Sequence, residues 1–445
     1  LEAGQGQRGR RISPSPNTRG RGDSSAALPL AGLKVLDLTW AMVGPVAMRY
    51  LADYGATVVK VDSTTHIDAV RSFQPFKDGQ SGPERSGLFS NVNCCKLGIT
   101  ANLRKPEGRE LMLKLVRWAD IVAESFAVGA LGRAGLDYAT LREINPGLIM
   151  LSTCLNGQDG PQSGLAGFGT MGSALAGFGE LTGWPDRAPT GPFGAYTDYV
   201  APKFVAASLL AALDHRRRTG EGQYIDLAQV EAALHFLAPA VLDYTANGRV
   251  MCRAGNSSPE HAPHGVFPCR GLTPGPSPWD GEGPGVRPAD RWVAIACADE
   301  GQWQALCRAT GNEGWLSDPR FARFAARQVN RAALEEAIAA WTRERDVEQI
   351  EQCLQAAGVP VHRVSSSADL FADPQLAHRG HLQNAEHPLL GSVPLEGARA
   401  ILSRTPARPP TTGPTYGQHT EQVLREVLSL SDDEIVDLTV AGVLE

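Results

Sequence analysis

The sequence predicts an α/β fold in which a Rossmann-like large domain with a parallel sheet is joined to a smaller α+β domain. Two observations lead there. Short, apolar, β-branched runs alternate with helical patterns through the first half of the chain, which is the signature of parallel strands covered by helices on both faces. Of 445 residues, 42% are hydrophobic and only 20% charged, so the chain can bury a sizeable core and is too apolar to be disordered throughout. That length suits one large α/β domain and a smaller companion.

Residues 1–28 carry five Arg with Gly and Ser and almost nothing apolar, and are expected to form a disordered, solvated tail. The sequence opens at Leu1 and not at a methionine, as expected of a trimmed or translated fragment. From residue 29 the elements follow in order. LKVLDLTW reads as a buried strand, VAMRYLADYG as a helix closed by Gly55, and ATVVKVD as a second strand. LGITANL, a helix over 106–118, DIVAESF and LIMLSTCLNG continue the alternation. A Gly-rich stretch over 164–194 leads into an apolar helix over 199–215, the turn Thr219-Gly220-Glu221-Gly222-Gln223 and the strand YIDLA. The large domain is therefore expected over 29–235.

The smaller α+β domain with its linkers is expected over 236–383. Within it, residues 271–290 hold ten Gly and Pro in twenty positions, a density no packed element tolerates, and read as an exposed loop inserted between the strands GVFPCRG and DRWVAIAC. Residues 384–445 are expected to return to the large domain, ending in a helix pair whose second member is capped by Ser431 with acids in its first turn.

Composition narrows the function. A net charge of −6 offers no global attraction for nucleic acid or an anionic membrane surface. No apolar run reaches the roughly 18 residues needed to span a bilayer, so a cytoplasmic location is expected. The eight Cys include no C-x-x-C pair, and His261, His264 and Cys269 are too loosely spaced for a metal site, so reduced thiols and no metal are expected. After the first strand the chain reads Ala41-Met42-Val43-Gly44-Pro45 with no G-x-G-x-x-G, which argues against nicotinamide chemistry. Partners are expected to be small molecules.

Four long segments sharpen this: LAGLKVLDLTWAMVGP, GATVVKVD, NCCKLGITANLRKPEGRELMLKLVRWADIVAESFAVGALGRAGLDYATLREINPGLI and RTGEGQYIDLAQVEAAL. In these the chain resembles the class III coenzyme A transferases, a superfamily that also includes acyl-CoA racemases, over nearly everything except the tail and the insertion. The resemblance implies a large domain built from both chain ends, a smaller middle domain, and two ring-shaped subunits threaded through each other as an interlocked homodimer. It implies coenzyme A or an acyl-CoA as substrate, a small carboxylic acid as partner, and a catalytic aspartate at Asp198 in PTGPFGAYTDYVAPKF. Placed ahead of an apolar helix, Asp198 would cap that helix and be kept ionised by its N-terminus.

The same resemblance places coenzyme A contacts at Met42 and Val43, from Ala101 to Arg104, at Ser125 and Phe126, and at Arg133. Arg104 and Arg133, with Lys96, are the expected phosphate partners, since guanidinium groups pair bidentately with phosphate oxygens. Gly191, Gly194, Ala195 and the run over 167–172 would leave room for a pantetheine arm and offer backbone donors. The chain departs from the family at Ser63, where an Arg is frequent, at Ala166, where the oxalate enzyme has a Lys, and at Gly169, where a second acid or the racemase His would stand. The function expected is therefore transfer of coenzyme A between an acyl-CoA and a carboxylic acid through a covalent aspartyl intermediate. A 2-methylacyl-CoA racemase and a non-catalytic acyl-CoA-binding paralogue are the alternatives.

Overall fold

The computed structural model describes residues 28–270 and 291–444. The expectations for the tail, apart from Leu28, and for the loop over 271–290 lie outside them. Strands β1 (Lys34–Leu38), β2 (Thr57–Asp62), β3 (Leu97–Thr100), β4 (Ile121–Glu124), β5 (Ile149–Cys154) and β6 (Tyr224–Ala228) form one sheet in the order β3-β2-β1-β4-β5-β6. Every pairing in it is parallel, with Leu36 opposite Val59 on one side and Val122 on the other.

Because side chains alternate along a strand, each strand feeds two apolar layers. Leu36, Val59, Val122 and Met150 join one cluster, and Val35, Val58, Ile121 and Ile149 the other. Helix α1 (Val43–Asp53) covers the second layer through Met48 and Leu51. Helix α2 (Pro106–Trp118) covers the first through Leu111, Met112 and Leu115, with Pro106 at its opening position, where the missing N–H costs no helical bond. The strand order reverses between β1 and β4. In open α/β sheets the crevice at the carboxyl ends of such a strand pair is where ligands bind.

Helix α3 (Gly169–Leu175) follows β5, and α4 (Thr197–Thr219) packs Val205 and Leu209 against α1. Helix α5 (Gln229–Phe236) buries Ala232 and Ala233 in the same region. Near the C terminus β10 (Leu382–His387) pairs antiparallel with β11 (Gly391–Glu396), whose Leu395 joins the second layer. Val423, Leu424, Leu430 and Val443 join the first. Ser431 closes a capping box with Glu434 at the start of the last helix, Asp432–Val440.

The chain divides into two compact units. The first contains the described residues up to Glu180, Thr190–Met251 and those from Asp373 on; the second contains Leu181–Pro189 and Cys252–Ala372. The longer segment of the second unit thus begins at 252, where 236 was expected, because α5 docks on α4 and the helix Ala238–Asn247 continues from it. It ends at 372, short of the expected 383, because the β10–β11 hairpin packs on the sheet of the first unit. In the second unit β7 (His264–Pro268), β8 (Trp292–Ala296) and β9 (Val361–Arg363) form an antiparallel sheet over a core containing Trp303, Phe321, Ile338 and Ile350. The flanks of residues 271–290 meet, since the Cys269 N–H donates to the Arg291 carbonyl at 2.8 Å.

Candidate active site

The turn from β1 into α1 lies at the carboxyl end of the strand pair where the order reverses. Its N–H groups are taken one by one: Thr39 donates to Asp37 Oδ1 at 2.9 Å, Trp40 to Ser125 Oγ at 2.8 Å and Ala41 to Asp68 Oδ1 at 2.9 Å. The turn is tight enough that a Cβ on Gly44 would lie 2.2 Å from Thr39 Cβ, so only glycine fits there. Trp40 meets Phe126, just past β4, edge to face at 5.5 Å.

Beneath this turn lies a cluster of buried charges. Lys60 Nζ donates to the Thr39 carbonyl at 2.9 Å and lies 3.3 Å from Asp68 and 3.4 Å from Asp62. Arg71 reaches Asp62 at 2.7 Å and Glu84 at 2.9 Å. Lys96 donates to Asp37 at 2.7 Å and to the Pro45 carbonyl and Asn93 Oδ1 at 2.9 Å each. Burial would raise the Asp37 carboxyl, but Lys96 and Lys60 outweigh it and hold the group below its ordinary value. Lys96 therefore departs from the expectation. Its ammonium is buried with all three donors occupied, and it organises the turn instead of meeting a phosphate.

The other expected contacts fall around the same sheet edge. Met42, Val43 and Ala101 are buried, their side chains packed in the core, so only their backbone can face a ligand. The Ser125 hydroxyl both accepts from the Trp40 N–H and donates to its carbonyl, and is occupied by the protein itself. Arg104, past β3, and Arg133, past β4, are exposed and engage in no ion pair among the described residues. Ser63 closes its own turn by accepting from the N–H groups of Thr65 and His66, and Ala166 is exposed.

Asp198 stands apart from these charges. It is the second residue of α4 and not the cap: Tyr196 precedes the helix, and the Asp198 N–H donates to the Ala195 carbonyl at 3.0 Å. Its side chain is only 8% exposed, and among the described residues no hydrogen bond or ion pair reaches its carboxyl. Burial pushes the group from 3.8 up to about 7, the reverse of the expectation that the helix start would keep it ionised. The helix end does favour a charge, but without a donor aimed at the oxygens it does not offset the lost hydration.

Gly169 explains how that carboxyl fits. A Cβ on Gly169 would lie 2.4 Å from Asp198 Oδ1 and 2.5 Å from its Cγ. The Gly169 carbonyl also accepts from Thr197 Oγ1 at 3.1 Å and from Ser173 Oγ at 2.9 Å, fastening the first turn of α3 to that of α4. In this arrangement a side chain at position 169 would meet the Asp198 carboxyl and Ala195. Gly172 is close-packed as well, against Leu155 and Thr197, whereas Gly191 and Gly194 border open space. Among the described residues no group of His, Cys, Asp or Glu is arranged to hold a metal ion, and no helix is long and apolar enough to cross a membrane.

Sequence reasoning missed the cluster around Asp37, Lys60 and Asp68. The signal was present: Asp37 in KVLDL and Lys60 in TVVKVD interrupt apolar strands, and charges in buried strands require partners.

Comparison with known proteins decides the family. Residues 30–271 and 285–420 match the model of CoA-transferase family III. The chain belongs to this family. This CoA-transferase is 32% identical to the succinyl-CoA–D-citramalate CoA-transferase of Chloroflexus aurantiacus, over 94% of this chain and 98% of the relative. It is likewise 32% identical to the succinate–glutarate CoA-transferase of Agrobacterium fabrum, over 90% and 96%. A solved CAIB/BAIF family protein from Brucella suis shares 32% identity at a TM-score of 0.79, covering 90% of this chain and all of that one. The CoA-transferase is accordingly an enzyme that takes coenzyme A thioesters as substrates.

Proposed function

We propose that the enzyme moves coenzyme A between an acyl-CoA and a small carboxylic acid, with Asp198 as the nucleophile. The isolated, buried carboxyl of Asp198 is the observation that carries this reading. A carboxylate stripped of water and of hydrogen-bond partners is a strong nucleophile once ionised, and its acyl products are shielded from hydrolysis. In the first step an Asp198 oxygen attacks the thioester carbon, the C–S bond breaks, and coenzyme A leaves as a thiolate. The thiolate then attacks Asp198 Cγ and releases the donor acid, leaving an aspartyl thioester. The acceptor carboxylate attacks that thioester and expels the thiolate again, which takes the acyl group from the new anhydride and frees Asp198. Charge balances at each step, and no metal or redox partner is required.

Coenzyme A is placed at the crevice beside β1 and β4, with Arg104 and Arg133 on its phosphates, the backbone of Met42, Val43 and Ala101 along it, and Trp40 and Phe126 as an apolar wall. Succinyl-CoA is the first donor to assay, with short dicarboxylic acids as acceptors, because the relatives act on such acids. A homodimer is part of the proposal, supported by apolar side chains left exposed on the first unit: Phe168, Met171, Leu175, Phe236, Leu242 and Tyr244. Sedimentation at nanomolar concentration is expected to show no folded monomer.

Incubation with an acyl-CoA and hydroxylamine, followed by peptide mass spectrometry, tests the chemistry. A hydroxamate on Asp198 is expected; turnover with an unmodified Asp198 would exclude the covalent route.

A further inference from the structure

Asp68 is buried in the loop after β2 and has its two oxygens directed to different tasks. Oδ1 accepts from the N–H of Ala41 at 2.9 Å and of Val70 at 3.1 Å, while Oδ2 lies 3.3 Å from Lys60 Nζ. Lys60 in turn donates to the Thr39 carbonyl, so the Asp68–Lys60 pair grips the β1 turn at both ends. Between those grips Ala41 has a φ of +59°, a left-handed conformation that side chains other than glycine disfavour. Immediately afterwards come the N–H groups of Met42, Val43 and Gly44, which have no acceptor among the described residues and open the first turn of α1.

We propose that Asp68 is a positioning residue for coenzyme A: it holds Ala41 left-handed and thereby sets the turn whose following backbone borders the crevice, without itself touching the ligand. The inference rests on the reading that coenzyme A occupies this crevice. Asp37 and Ser125 pin the N–H groups of Thr39 and Trp40, but neither reaches Ala41, and among the described residues Asp68 is the side chain bonded to the Ala41 backbone.

Calorimetric titration of the full chain with coenzyme A, alongside transferase kinetics, tests this. Asp68→Ala is expected to weaken coenzyme A about tenfold and raise KM to match, with turnover at saturating acyl-CoA within about threefold, since Asp198 lies on other elements. Asp68→Asn keeps an oxygen for the Ala41 N–H and is expected to bind within about threefold of wild type. Adding Ala41→Gly to Asp68→Ala is expected to recover at least about threefold, because glycine adopts the left-handed turn unaided. A purely structural Asp68 would lower stability without that recovery. Unchanged affinity in Asp68→Ala, or no recovery in the double variant, overturns the proposal while leaving the crevice reading intact. Should Asp68→Ala fail to fold, Ala41→Val is expected to weaken coenzyme A similarly, and unchanged affinity there overturns it equally. Wild-type protein that does not bind coenzyme A would sink the crevice reading and this inference together.

Discussion

Asp198 at the start of α4 and the trio Asp37, Asp62 and Asp68 around the end of β1 are all buried carboxyl groups in one domain, and their surroundings are opposite. Each of the trio faces an ammonium or guanidinium: Lys96 for Asp37, Arg71 for Asp62, Lys60 for Asp68. Asp198 has none, and rests on the bare Cα of Gly169. Desolvation is common to both regions, so the partners make the difference. Where they are present, the carboxyl is held by its ion pair and shapes the backbone. Where they are absent, burial makes the carboxyl hold its proton more tightly.

The comparison breaks most visibly at Asp198. Asp198→Asn is expected to lose at least about a thousandfold in transferase turnover, equivalent to roughly 4 kcal/mol, in a direct assay. The same change should stabilise the fold. With a native value of about 7 against 3.8 for the free group, the folded state holds this proton more tightly than the unfolded chain. The contribution of Asp198 to wild-type stability therefore falls as pH rises from about 4 to about 7 and then levels off. Asp198→Asn is expected to gain up to about 4 kcal/mol over wild type at pH 8 and to lose that advantage towards pH 4, as read by urea unfolding. A variant less stable than wild type at both pH values would show that Asp198 has a partner after all.

Lys96→Met removes the partner from the other kind of carboxyl. Asp37 would be left buried beside Lys60 alone, at an expected cost of about 3 kcal/mol or more. Urea unfolding that registers under about 1 kcal/mol would mean the charge cluster is not needed for the turn.

Gly169→Ala probes the contact on which Asp198 rests. The added Cβ must displace the carboxyl, and a shift of about 1 Å is expected to lower kcat about a hundredfold with coenzyme A affinity within threefold. Full activity would show that the carboxyl does not act from this position. In wild type, the rate is expected to rise with pH through an inflection near 7, because the proposed attacking form is the carboxylate. A flat profile between about 5 and 8 would contradict a group left without partners.

Removing residues 272–288 should move neither region. Their flanks are already joined between Cys269 and Arg291, and the family match skips most of the segment. Stability is expected to change by less than about 1 kcal/mol and activity by less than twofold. A larger loss in either would assign the segment a role in the fold or the site.

Strands such as β2, β4 and β5 were readable because an apolar run buried on both faces leaves little choice of structure, and the helix over 106–118 because Pro106 marks its start. The aspartate itself was reachable only through the family resemblance, since its place ahead of the apolar helix alone reads as a cap. Its state was not. An acid near a helix start reads as a cap, and only the folded chain shows that Tyr196 takes the position before the helix while Asp198 turns onto Gly169. Lys96 misled for a related reason: a lysine near the sheet edge resembles a phosphate ligand until Asp37, 59 residues away, is seen to occupy it. Local pattern determined the strands and the helices, since those depend on neighbours in sequence, and family resemblance supplied the candidate acid. Charge state, spent donors and the left-handed turn at Ala41 were decided by tertiary structure, because desolvation and pairing depend on which distant groups share the same buried space.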